Sequence, residues 1–356
     1  MVRMRHATQM QDDVVVQHIH NKSIKMENWF KKLVGFEEEN PEQVRENLIL
    51  ENGRLTSKLN GATYDAGKLE IPALHELRSR VPPAGHGKNK IKEVIGDVQS
   101  FHVDPVNDDA VFQAASQFNL LEMDHYDVTP EQGIGRYEND HTQGPACAMA
   151  CGAGTIYRNY FVEVNGQTGQ TRDNQIDCLS EIGQYFNNPE KKYWTMRNGY
   201  ALVSDSGLDE ITRQIGNLST DEYEHLKGLL RVGIQKETQV TITGRPQRVT
   251  QVYCSALPVG YSDTDATKWE KFAGLILEAT YEATMLAARE NQKRTGNNKL
   301  FLTLVGGGAF GNKPEWIMDA VVKNLKKFDN CGLEVIFVSH RAPDETVGRI
   351  IEGVNG

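Results

Sequence analysis

The sequence predicts an α/β domain in which a mostly parallel or mixed β-sheet is covered by helices. Strand-like and helix-like segments alternate through the C-terminal half. The apolar run LFLTLV at 300–305 is short enough for a buried strand. It passes through Gly306, Gly307, Gly308 and Gly311 into EWIMDAVVKNLKKF, which has helical periodicity. Hydrophobic residues make up 39% of the 356 and charged residues 24%, which suits a soluble globular chain and excludes global disorder.

The elements follow in order. MVRMRHATQMQDD turns acidic before any apolar core appears, so it does not read as a secretory signal. MENWFKKLVGF carries an apolar stripe of Trp29, Phe30, Leu33, Val34 and Phe36, the pattern of a docking helix. Residues 46–90 alternate short strand-like runs with Asn-Gly and Ala-Gly turns, and Pro82 and Pro83 mark a boundary. Residues 1–90 thus read as an extension packing on a core domain of 91–356. IKEVIGDVQSFHVD reads as strand and turn, and DDAVFQAASQFNLLE as helix or strand running into a long polar loop. GPACAMACGAG reads as a close-packed small-residue helix. Residues 165–245 read as a polar, helical insertion, and QVTITGRPQRVTQVYCSALPV as two strands. A long amphipathic helix then ends at Thr-Gly, and LEVIFVSH is a final buried strand.

The formal net charge of -9 argues against broad nucleic-acid or membrane-surface binding. No run of about 18 apolar residues occurs, so no membrane span is expected and a cytoplasmic setting is. The cysteines at 147, 151, 178, 254 and 331 show no CxxC spacing and read as reduced thiols, with neither metal nor cofactor implied. Cys147, after Pro145, reads either as a packed core thiol or as a nucleophile in a helix's first turn.

The glycine-rich turn carries most functional weight. Backbone N–H groups at a helix N-terminus form an anion site, with a diphosphate as natural occupant. No Gly-Lys-Ser/Thr follows, so it is no Walker loop. Ligands in open α/β sheets bind at such strand ends. Gly306, Gly307, Gly308, Ala309, Phe310, Gly311 and Asn312 are therefore expected to bind ligand. Phe310 reads as a stacking ring or a core plug, and Asn312 as a sugar ligand or a helix cap.

This stretch, with VIGDVQSFHVDPVNDDAVFQAASQFN upstream, resembles the macrodomain superfamily. The GGGAFGN run is most similar to its poly(ADP-ribose) glycohydrolase-like branch. The resemblance covers about residues 92–160 and 250–345. It implies a three-layer α/β/α fold and binding of ADP-ribose or a related NAD-derived nucleotide. Asp97, after Gly96, would contact the adenine amino group, and Asn119 and Gly135 would belong to the ligand site. Gln143 matches the Gln of a Gln-Glu-Glu run, but Gly144 and Pro145 stand where that branch has glutamates.

Cleavage of an ADP-ribosyl bond needs a carboxylate or positioned water near the anomeric carbon and a proton donor. Asp140 is the first candidate, Glu138 the second, and His141 an acid or base; Glu122 is a further carboxylate. Arg158 reads as a phosphate ligand or a surface ion pair. Ser255 and Tyr261 read as ligand contacts, with no GxSxG elbow around Ser255. The expected function is ADP-ribose binding with hydrolysis of an ADP-ribosyl bond. The alternative is a non-catalytic ADP-ribose reader or interaction module.

Overall fold

The computed structural model describes residues 28–81 and 87–355. The MVRMRHATQMQDD stretch and the Pro82–Pro83 boundary lie outside the described residues.

Helix α1 (Trp29–Val34) is capped by Asn28, whose side chain accepts from the Lys31 N–H, and ends at Gly35. Helix α2 (Pro41–Asn47) starts with proline at its first position, behind an Asn40 cap. Strands β1 (Leu48–Glu51), β2 (Arg54–Ser57) and β3 (Thr63–Asp65) form a small antiparallel sheet. Strand β4 (Lys68–Glu70) leads into α3 (Leu74–Arg80). Next come β5 (Lys90–Ile95), α4 (Val98–Val103) and β6 (Val111–Ala115). A long loop separates β6 from α5 (Gln143–Ala150) and α6 (Gly152–Ile156).

Two hairpins, β7 (Glu163–Val164) with β8 (Gln167–Thr168) and β9 (Trp194–Arg197) with β10 (Tyr200–Val203), flank α7 (Ser180–Tyr185). Helices α8 (Asp205–Gly216) and α9 (Thr220–Gly228) precede β11 (Gly233–Gln239) and β12 (Arg248–Cys254). The chain closes with α10 (Glu270–Thr295), β13 (Lys299–Leu302), α11 (Pro314–Lys327), β14 (Glu334–Ser339) and α12 (Glu345–Asn355).

The main sheet has the order β4-β11-β12-β6-β13-β14-β5. Strands β12, β6, β13, β14 and β5 are mutually parallel, and at one edge β11 runs antiparallel between β12 and β4. Successive side chains of a strand point to opposite faces. Gln113 on β6 donates to Thr284 on α10, while its neighbour Phe112 stacks on His102 of α4 at 3.8 Å. On β12, Thr250 donates to Asn291 of α10, and Gln251 donates to the Cys147 carbonyl of α5. Helix α10 therefore covers one face and α4 and α5 the other, which is the expected three-layer α/β/α sandwich with a mixed, largely parallel sheet.

A second apolar cluster lies outside α5 and α6. Trp29, Phe30, Leu33 and Val34 of α1 pack there with Ala148, Met149, Ala153 and Ile156, and with Leu121, Ile134 and Tyr137 of the long loop. Each of these large α1 side chains contributes about 1.5–3 kcal/mol by burial. Gly152 permits the approach, since a Cβ there would fall 2.7 Å from Leu33 and 2.8 Å from Trp29.

Some local expectations differ. VQSFHV is helical, because Asp97 accepts the Gln99 N–H and caps it. The first of the two late strands falls on GIQKETQ rather than QVTITG. That strand belongs to the main sheet, so sheet residues lie inside the 165–245 span.

Candidate functional site

The carboxyl ends of β5, β14 and β13 open into a cavity of 1280 Å³. Its walls include Asp97 and Gln99 after β5, Thr303 and Leu304 after β13, and His340 and Arg341 after β14. The opposite rim is Glu138, Asp140, His141 and Gln143, from the end of the long loop and the first turn of α5. All the catalytic candidates thus meet Asp97 and Gln143 at one cavity.

The N-terminal segment holds this rim in place. The Glu38 carboxylate accepts N–H bonds from Ile134 at 3.0 Å and Gly135 at 2.6 Å, and the Tyr160 hydroxyl also donates to it. Burial raises the Glu38 pKa, and these hydrogen bonds oppose the rise. Glu138 accepts the Trp29 N–H at 3.3 Å, at the start of α1. Asp140 accepts the Thr142 N–H at 2.8 Å, which fixes the turn into α5. His141 is exposed at the mouth.

Gln143 uses its side-chain amide on the sheet. Its oxygen accepts the Ala115 N–H at 3.0 Å, and its nitrogen donates to the Gln113 carbonyl at 2.7 Å. The first turn of α5 is thereby fixed to the end of β6.

Several expected ligand contacts are engaged elsewhere. Gly135 faces Glu38, whose carboxylate oxygen would lie 2.9 Å from a Cβ there, and it is not on the cavity wall. Asn119 is fully buried, donating to Gln175 at 2.8 Å and accepting the Leu121 N–H. Asn312 neither caps α11 nor faces the cavity. Its amide donates to the Leu257 and Gly306 carbonyls, cross-bracing the turn whose backbone acceptors need donors.

The glycine-rich turn continues directly from the cavity wall at Leu304 but does not itself line it. The Gly307 N–H donates to Leu304, Gly311 to Gly308 and Asn312 to Gly306, while Gly308 and Ala309 are exposed. Gly311, with φ +68°, approaches Gly260 so closely that a Cβ would sit 2.9 Å from its backbone. Phe310 is half-buried against Tyr200 at 5.3 Å and Tyr261 at 5.8 Å, so it anchors the turn within an aromatic cluster.

Arg158 is neither a surface ion-pair residue nor on the cavity wall. It is fully buried, lies 3.6 Å from the centre of the Tyr253 ring and donates to the Leu120 carbonyl. Cys147 is buried, and its thiol pKa is pushed well up, by burial first, which removes it as a nucleophile. Among the described residues, no cluster of three or more His, Cys, Asp or Glu is arranged to hold a metal, and no helix is long and apolar enough to cross a membrane. His340, Arg341 and Gln99 were missed from sequence. Their signal is position, at the carboxyl ends of parallel strands beside the turn that was singled out.

Fold and cavity together define a three-layer α/β protein with an acidic-rimmed cavity at its strand ends. No protein-family model and no curated protein matches the sequence. Among solved structures, the chain is similar to poly(ADP-ribose) glycohydrolase from Thermomonospora curvata, at 15% identity over 88% of this chain and 97% of that one, with a TM-score of 0.48. The same enzyme bound to the inhibitor ADP-HPD gives 15% identity, 88% and 96% coverage and a TM-score of 0.46. The Deinococcus radiodurans glycohydrolase in complex with ADP-ribose gives 10% identity, 81% and 94% coverage and a TM-score of 0.43. Residue roles in this chain rest on its own geometry.

Proposed function

We propose that this protein binds ADP-ribose, or a closely related NAD-derived nucleotide, and hydrolyses an ADP-ribosyl bond. The observation that carries the reading is the 1280 Å³ cavity at the parallel strand ends, walled by Asp97 and Asp140 and leading into the glycine-rich turn. Asp97 accepts from the adenine amino group. The exposed backbone of Gly308 and Ala309 receives the diphosphate. The distal ribose lies toward Glu138, Asp140 and His141, with Asp140 orienting water or ribose hydroxyls. The segment from Trp29 to Glu38 acts as a brace for that rim, while β4 is a strand of the main sheet.

A non-catalytic reader is the second reading, favoured by Gly144 and Pro145, which leave the first turn of α5 without a carboxylate of its own. Incubation with a labelled ADP-ribosylated peptide separates the two. The wild type is expected to release ADP-ribose. The Asp140→Ala variant is expected to bind ADP-ribose normally and turn over about 100-fold more slowly. Binding without release by the wild type would leave the reader.

A further inference from the structure

The strands that open into the cavity stand in the order β13-β14-β5. Neighbouring strands of a sheet lie about 4.8 Å apart. In the reading above, the diphosphate sits at the turn after β13 and the adenine at Asp97, after β5. The ribose that joins them therefore crosses the end of β14, which lies between the two. There β14 presents Ser339, His340 and Arg341, all on the cavity wall.

Arg341 has a φ of +71°, in the left-handed region that glycine takes without strain. The Ala342 N–H donates to the His340 carbonyl at 2.9 Å, so Arg341 is the central residue of a γ-turn of the rare, positive-φ kind. Both ends of this turn are tied to one carboxylate. Glu93 on β5 accepts the Ser339 hydroxyl at 2.5 Å and the Asp344 N–H at 2.7 Å. Asp344 in turn accepts the Thr346 N–H in the first turn of α12. Strained residues persist where the surrounding structure imposes them, and they gather at active sites and ligand clamps.

The charge of Arg341 is unanswered. Among the described residues, it is the only lysine or arginine that lines the cavity, where the carboxylates are Asp97, Glu138, Asp140 and Asp344. Its side chain is exposed and makes no hydrogen bond or ion pair with any described residue. A guanidinium presents a planar fork of donors that matches the oxygens of a phosphate.

We infer that Arg341 is a specificity residue that takes a phosphate ester on the adenosine ribose. The preferred ligand is then 2′-phospho-ADP-ribose, from the NADP-derived class of nucleotides, rather than ADP-ribose itself. This rests on the nucleotide placement proposed above and holds whether or not the bound nucleotide is hydrolysed. ADP-ribose, with a free 2′-hydroxyl, leaves the guanidinium in solvent, where its charge adds little to affinity.

Calorimetry of the full chain with ADP-ribose and with 2′-phospho-ADP-ribose, at one ionic strength, tests the role of Arg341. The wild type is expected to bind the phosphorylated ligand about tenfold more tightly. Arg341→Gln is expected to bind ADP-ribose within about threefold of wild type and to lose the preference. Arg341→Gly removes the backbone strain together with the side chain, and it too is expected to bind the two ligands alike. Equal affinity of the wild type for both ligands overturns the role of Arg341 while the ligand assignment stands. A preference that survives in both variants, or an equal loss of both ligands, overturns it too. A wild type that binds neither ligand removes the assignment and this role together.

Discussion

Asp97 caps α4 through Oδ1, which accepts the Gln99 N–H at 2.9 Å, and it also forms part of the cavity wall. Asn serves as an N-cap about as well as Asp. Asp97→Asn should therefore leave the melting temperature unchanged while weakening ADP-ribose about tenfold, through loss of a charged acceptor. Asp97→Ala should also lose about 1 kcal/mol of stability, with the cap. Thermal denaturation and calorimetry on the pair distinguish capping from recognition. Asp97 and Asp140 were legible in the sequence because their place follows from local pattern: one ends a strand, the other closes a loop into a helix. Asn119 and Gly135 were not. Their partners, Gln175 and Glu38, lie 56 and 97 residues away, and no local pattern shows that their polar groups are already engaged.

At the scale of elements, α1 and the long loop form one unit. Trp29 and Glu38 hold the segment that ends in Glu138 and Asp140. Glu38→Ala removes the acceptor from two loop N–H groups. Hydrogen exchange at Ile134 and Gly135 should quicken markedly while exchange in β6 and β13 stays slow. Unchanged exchange would mean the loop is held by its apolar contacts alone. Trp29→Ala should cost about 3–5 kcal/mol, read by denaturant titration. The β13–α11–β14 unit was legible because apolar runs, a glycine turn and helical periodicity coincide there. Strand β11 was not, because Gln235 and Thr238 are polar yet fully buried and the strand carries a bulge, so its pattern is not that of a buried strand.

Across the whole molecule, a buried ion network ties the N-terminal segment to the far side of the sheet. Arg78 on α3 donates to Glu282 on α10 at 2.6 Å, and Lys227 of α9 and Lys327 of α11 pair with the same carboxylate. Burial opposes ionisation of Glu282, but hydrogen bonds from Arg78 and Lys327 and the charge of Lys227 outweigh it and pull the pKa down to about 2. The folded-state pKa is depressed, so this stabilisation is fully present above the ordinary value of 4.5. It is lost as pH falls from there toward about 2. Glu282→Gln takes one carboxylate from three cations, of which Arg78 keeps Glu224 and Lys227 keeps Glu224 and Glu278, and should cost about 1–3 kcal/mol at neutral pH. Denaturation at a series of pH values should show that deficit shrinking on acidification.

The central claim concerns what enters the strand-end cavity. Isothermal titration with ADP-ribose, with AMP and NAD as controls, tests it most directly. The account predicts micromolar binding that prefers ADP-ribose and weakens in Asp97→Asn. Absence of binding to any of the three ligands would contradict it.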